Sequence, residues 1–161
     1  MNTLRALFGA DAANREARYN AAFALGEVSE TLIAMGDGDS AERNLHAALE
    51  ILEPSSDSSL SAAKVLRAVD YFRLGRISAR RAADPQTGRG SRMRHCAAAR
   101  GWFDRSRPIL AAAELDEQWG KQLNIAPSQI DRELAACPVP QHLGAGEGCL
   151  TKACFDPDSR S

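Results

Sequence analysis

Apolar residues return every three or four positions over five stretches of the chain, and the stretches between them are rich in Gly, Pro, Ser and Asp. That spacing predicts helices rather than strands. In the first, from about Ala12 to Met35, Tyr19, Ala22, Phe23, Leu25, Val28, Leu32 and Ile33 form a broad apolar stripe. Gly36-Asp37-Gly38 ends it, because glycine accepts the left-handed backbone that helix C-termini often need. Asp39 and Glu42 have the spacing of a capping box for a second helix, about Ser40 to Glu53. Its Ala41, Leu45, Ala48 and Leu52 share one face, and Pro54 stops it. So short a turn between two helices predicts an antiparallel hairpin.

Beyond a serine-rich linker that supplies an N-cap, a third helix is predicted from about Leu60 to Ala82, with Val65, Leu66, Val69, Phe72 and Ile77 as apolar positions. The segment Asp84–Ser91 has one proline, two glycines and no apolar side chain, and reads as an inserted loop. A fourth helix follows from about Arg92 to Ala113, carrying Ala99, Trp102, Phe103 and Leu110. Pro108 inside it removes a backbone hydrogen bond and predicts a kink or a late start. A short fifth helix, about Ser128 to Cys137, shows Ile130 and Leu134 on one face. Residues 138–161 have no periodicity and many Gly, Pro and Ser, which predicts a disordered tail.

One order of side chains occurs twice. Ala41, Leu45 and Ala48 in the second helix are matched by Ala99, Phe103 and Ser106 in the fourth, and Leu74-Gly75 precedes the second copy. This arrangement resembles the tetratricopeptide repeat family, in which one helix carries a Leu-Gly pair and the next carries small, large and small residues before a closing proline. Val28-Ser29 stands at the Leu-Gly position of the first unit, with Gly36 as the turn glycine; the second unit departs by the insertion and by Pro108. More narrowly, LRALFGADAANREARYNAAFALGEV, HCAAARGWFDRSRPIL and IDRELAAC resemble the C-terminal repeats of bacterial proteins in which such arrays follow a serine/threonine kinase domain.

The resemblance implies an all-α fold, a short right-handed solenoid of about five helices. Residues 1–10 would end a preceding repeat helix or be disordered. Residues 11–54 and 55–113 would be two helix pairs, and 126–137 a closing helix. It implies a protein–protein interaction module, in which a partner polypeptide, or the rest of a larger signalling protein, lies on a concave face built from the first helix of each pair. Phe23, Glu30, Ile33 and Ala34 of the first helix, with Arg73 and Arg76 of the third, are the implied partner-binding residues. A solenoid unit cannot bury its faces alone, so Phe23 or Leu32 is expected to be partly exposed or covered in a homodimer. The alternative functions are a free-standing dimeric adaptor and a nucleic-acid binder.

Composition narrows the chemistry. Hydrophobic residues make up 44% of the chain and aromatics only 6%, so alanine supplies much of the core and each residue buries little area. Residues 71–107 hold ten arginines against two aspartates, between two acidic flanks. The favoured reading is neutralisation across the fold; a surface for an acidic partner, or nucleic-acid binding with Trp102 and Phe103 stacking on bases, ranks behind it. His46 and His95 have no acidic or nucleophilic partner in register, and no GxGxxG, HRD or DFG motif occurs, so no catalytic residue is assigned. Cys137, His142, Cys149 and Cys154 lack the short spacing of a structural zinc knuckle, and no metal or cofactor is expected. Without an export signal or an apolar span, a cytoplasmic chain with reduced thiols is the expectation.

Overall fold

The computed structural model describes residues 15–52, 61–116 and 125–137; the expectations for residues 1–10, the 54–59 linker and the 138–161 tail fall outside that set. The described residues are helical, without strands. In order they form α1 (Arg15–Met35), α2 (Gly38–Leu52), α3 (Ala62–Ala83), α4 (Arg89–Glu114) and the short α5 (Ser128–Glu133), which runs into a 3-10 turn at Leu134–Ala136. No helix among them is long and apolar enough to cross a membrane.

The turns follow local chemistry. Gly36 is left-handed (φ +85°), and the amides of Gly36 and Asp37 donate to the carbonyls of Ile33 and Leu32 at the end of α1. The cap of α2 differs from the expected box. Asp37 is the N-cap, its Oδ1 accepting from the Ser40 amide at 3.0 Å, whereas Asp39 and Glu42 both bind Arg81 at 2.6 Å. Across the helix surface a guanidinium was the stronger partner for those two carboxylates. Ser61 caps α3 by accepting from the Lys64 amide. The predicted loop also shortens. Asp84 and Thr87 close the turn on themselves (Thr87 amide to Asp84 carbonyl, 3.0 Å), so α4 starts at Arg89 and then runs unbroken through Pro108. The late start at Pro108 is therefore absent; the proline ring lies on an exposed face.

Two antiparallel hairpins, α1/α2 and α3/α4, pack against each other through α2 and α3, with a smaller contact between α1 and α3. In the first hairpin, Ala41, Leu45 and Ala48 are fully buried and Ser29 faces them, its hydroxyl donating to the carbonyls of Leu25 and Ala41. In the second, Ala99, Phe103 and Ser106 are buried, and Gly75 lies so close to the Phe103 ring that a β-carbon there would sit 2.5 Å from it. The recurring positions are thus the inter-helix contacts of both hairpins. Trp102 is half-buried; it packs against the Ile33, Leu45 and Leu74 cluster and stacks on Tyr71 at 5.7 Å.

The closing segment docks on the second hairpin. Ile130 is fully buried among Phe72, Phe103 and Leu110. Cys137, after the 3-10 turn, is disulfide-bonded to Cys96 of α4, with 5.3 Å between their α-carbons. The expectation of reduced thiols is corrected for this pair. Sequence separation of 41 hid a partner that the docking of α5 across α3 and α4 brings into range.

Candidate functional site

A groove of about 780 Å3 runs between α1, α3 and the segment that ends in α5. The floor comes from α3, where Val65, Val69 and Phe72 recur at helical spacing, with Phe23 of α1 and Ile125 on its edges. Phe23 is 46% exposed, a large apolar surface for a ring inside a concave site. Leu32, the other side chain expected to show, is half-buried against the core.

Five of the six charged side chains that line it, Glu27, Glu30, Arg73, Arg76 and Glu133, form one continuous chain of pairs, and the sixth, Arg132, is exposed. Arg73, nearly buried, binds Glu27 at 2.8 Å, Glu30 at 3.2 Å and Asp70 at 3.5 Å. Arg76 then joins Glu30 (2.7 Å) to Glu133 of α5 (3.4 Å), so that α1, α3 and α5 meet in one network. Gly26 makes room for it: a β-carbon there would lie 2.5 Å from an Arg73 nitrogen and 3.0 Å from Asp70. Burial acts to raise the pKa of Glu30, yet the Arg76 and Arg73 guanidiniums outweigh it and hold the carboxyl below its ordinary range. Asp70 goes the other way. It is fully buried, its Oδ2 has no hydrogen-bond partner, and burial outweighs Arg73 to push its pKa up to about 7. A buried carboxyl with one unsatisfied oxygen holds its proton longer than an exposed one.

The six partner-binding residues implied by the sequence divide. Phe23, Glu30, Arg73 and Arg76 all line this groove. Ile33 does not: it is 2% exposed, in the core with Ala41, Leu45 and Ile77. Its apolar side chain gained more from the α2–α3 interface than from a surface position. Ala34 is exposed but lies off the groove. The arginine run is also engaged internally. Arg73, Arg76 and Arg81 are paired with carboxylates from the acidic first part of the chain, and Arg80 donates to the Ile33 carbonyl. The neutralisation reading of the charge pattern describes these pairs, while Arg89, Arg92 and Arg94 in the first turns of α4 are exposed.

Compared with protein-family models, with curated proteins and with solved structures, the chain matches none. What can be said of the site therefore rests on its own geometry. No group of three or more His, Cys, Asp or Glu side chains among the described residues is placed to hold a metal ion. The third wall (Ile125, Gln129, Arg132 and Glu133) was missed by sequence reasoning, and the acidic partners of Arg73 and Arg76 were not foreseen as such. Glu27, Glu30 and Gly26, at spacings of three and four on α1, were the available signal for a helix face that accepts guanidinium groups.

Proposed function

We propose that this chain is a protein–protein interaction module of the tetratricopeptide type, whose two hairpins are successive repeat units and whose groove receives an apolar segment of a partner polypeptide. On this reading it binds and does not catalyse. The observation that carries it is the half-exposed Phe23 ring beside the Val65, Val69 and Phe72 floor, where Arg73 and Arg76 are already paired with Glu27, Glu30 and Glu133. Because Arg73 and Arg76 spend their charge on Glu27, Glu30 and Glu133, the groove favours an apolar anchor over an acidic peptide. The two copies of the small-large-small pattern, each at a helix–helix contact, support the repeat reading.

The experiment is selection of displayed peptides against the full chain, followed by titration of the selected peptides with two variants. Phe23→Ala is expected to weaken binding by about tenfold or more, the effect of removing an aromatic anchor. Val28→Ala, exposed on the same helix but outside the groove, is expected to leave it unchanged. Peptides that ignore Phe23→Ala and lose affinity with Val28→Ala would place the binding face elsewhere on α1.

A further inference from the structure

We propose that the Cys96–Cys137 disulfide is a redox latch for the groove: when it is closed, α5 is held as the third wall, and when it is reduced, the segment 125–137 leaves. The inference rests on the groove being the binding site, and it names how that site is regulated.

The segment has little to hold it by itself. A six-residue helix followed by one 3-10 turn is far below the length at which a helix is stable alone. Its apolar anchors on the core are Ile130, fully buried, and Ile125 and Leu134, both only partly buried. The Arg107–Asp131 ion pair is largely exposed and contributes little. At the far end, Cys137 is 4% exposed, packed with Cys96, Ala82 and Leu134, and its carbonyl accepts from Arg100 at 2.7 Å. The covalent bond closes a loop of 41 residues and keeps Ile130 and Leu134 at a high effective concentration over their sites on α3 and α4.

The same segment supplies Ile125, Gln129, Arg132 and Glu133 to the groove, and Glu133 is the last link of the ion network through Arg76. Leaving would remove one wall and expose the apolar floor at Phe72 while α1, α3 and their Arg73 cluster stay in place. The reductant is a dithiol. Its thiolate attacks one of the two sulfurs, the S–S bond breaks as a mixed disulfide forms, and its second thiol displaces the protein sulfur. The dithiol leaves as a disulfide, its two electrons and two protons ending on the Cys96 and Cys137 thiols. A disulfide oxidant reverses the exchange. The groove would be complete in an oxidising compartment and open in a reducing one.

The test is hydrogen exchange on the full chain, oxidised and after reduction with dithiothreitol, alongside the Cys96→Ala/Cys137→Ala double variant, which keeps the site apolar. Amides of residues 130–137 are expected to exchange at least about tenfold faster in the reduced and double-variant proteins, with α3 and α4 keeping their rates. Equal rates at 130–137 in all three forms would overturn the latch. So would a loss of protection through α3 and α4, which would make the bond a general staple, or the thiols of Cys96 and Cys137, told apart from those of Cys149 and Cys154 by peptide mapping, staying free after treatment with a disulfide oxidant. No peptide enters this measurement, so its failure overturns the latch and leaves the groove reading standing, whereas failure of the peptide selection removes the site that the latch would regulate without changing the exchange rates.

Discussion

The two hairpins use one packing code in two settings. In α1/α2 the large residue between two alanines is Leu45, and the helix opposite presents Ser29. In α3/α4 the large residue is Phe103, and the helix opposite presents Gly75, whose missing β-carbon is where the ring sits. The settings differ more than the codes. The second hairpin meets α2 on one side and α5 on the other, and α3 is buried through two faces, down to the ionisable Asp70 and Arg73. The first hairpin meets mainly α3, with Trp102 of α4 reaching its Ile33, Leu45 and His46, and α1 leaves Val28 52% and Met35 76% exposed. An identical local pattern therefore yields a central helix or a peripheral one according to what stacks beside it.

That contrast can be broken most sharply at the two large residues. Phe103→Ala should cost about 4 kcal/mol in denaturant unfolding, because the ring fills a site closed on all sides. Leu45→Ala, in the less enclosed hairpin, should cost about 2–3 kcal/mol. Equal losses would mean that the two hairpins are equally supported.

Next in size is a pH effect confined to the buried helix. The Asp70 carboxyl has its ordinary pKa of 3.8 when unfolded, and burial pushes it up to about 7 when folded. Its contribution is fully present below pH 3.8 and is lost as pH rises through 7, because the folded state alone retains the proton in between. Stability should fall between pH 5 and pH 8 by up to about 3 kcal/mol, and Asp70→Asn should flatten that slope. Glu30, with its lowered pKa, acts with the opposite sign, and only as pH falls below the ordinary glutamate value of 4.5. Thermal unfolding across pH 5–8 isolates Asp70; a flat profile for the unaltered chain would show that its carboxyl is not held protonated.

The smallest effects compare the two residues at equivalent helix contacts. Gly75→Ala forces a methyl group into the Phe103 ring, a cost that exceeds the gain of about 1 kcal/mol in helix propensity and leaves a net loss of about 2 kcal/mol. Ser29→Ala removes a hydroxyl that donates within its own hairpin and should cost about 1 kcal/mol. Reversal of that order would show that the Gly75–Phe103 approach is looser than its geometry.

Much of the fold was legible in the sequence because helix periodicity, Gly36 and Ser61 act locally. The ends of α1, α2 and α3 lie within a few residues of their expected positions. Misreadings arose where a local group found a distant partner. Asp39 looked like a cap and became a ligand of Arg81, and Ile33 looked like a groove residue and became core. Of the site, Phe23, Glu30, Arg73 and Arg76 were anticipated individually, but not the fact that three of them bind one another.

The sequence by itself determined the helices, their turns and which side chains repeat, since each depends on spacing within a few residues. Tertiary structure alone decided that Arg73 is buried beneath α1, that Asp70 is pushed up to about 7, and that Cys96 and Cys137 are joined. Those outcomes depend on distance and solvent exclusion between segments as many as 46 residues apart, which no local pattern encodes.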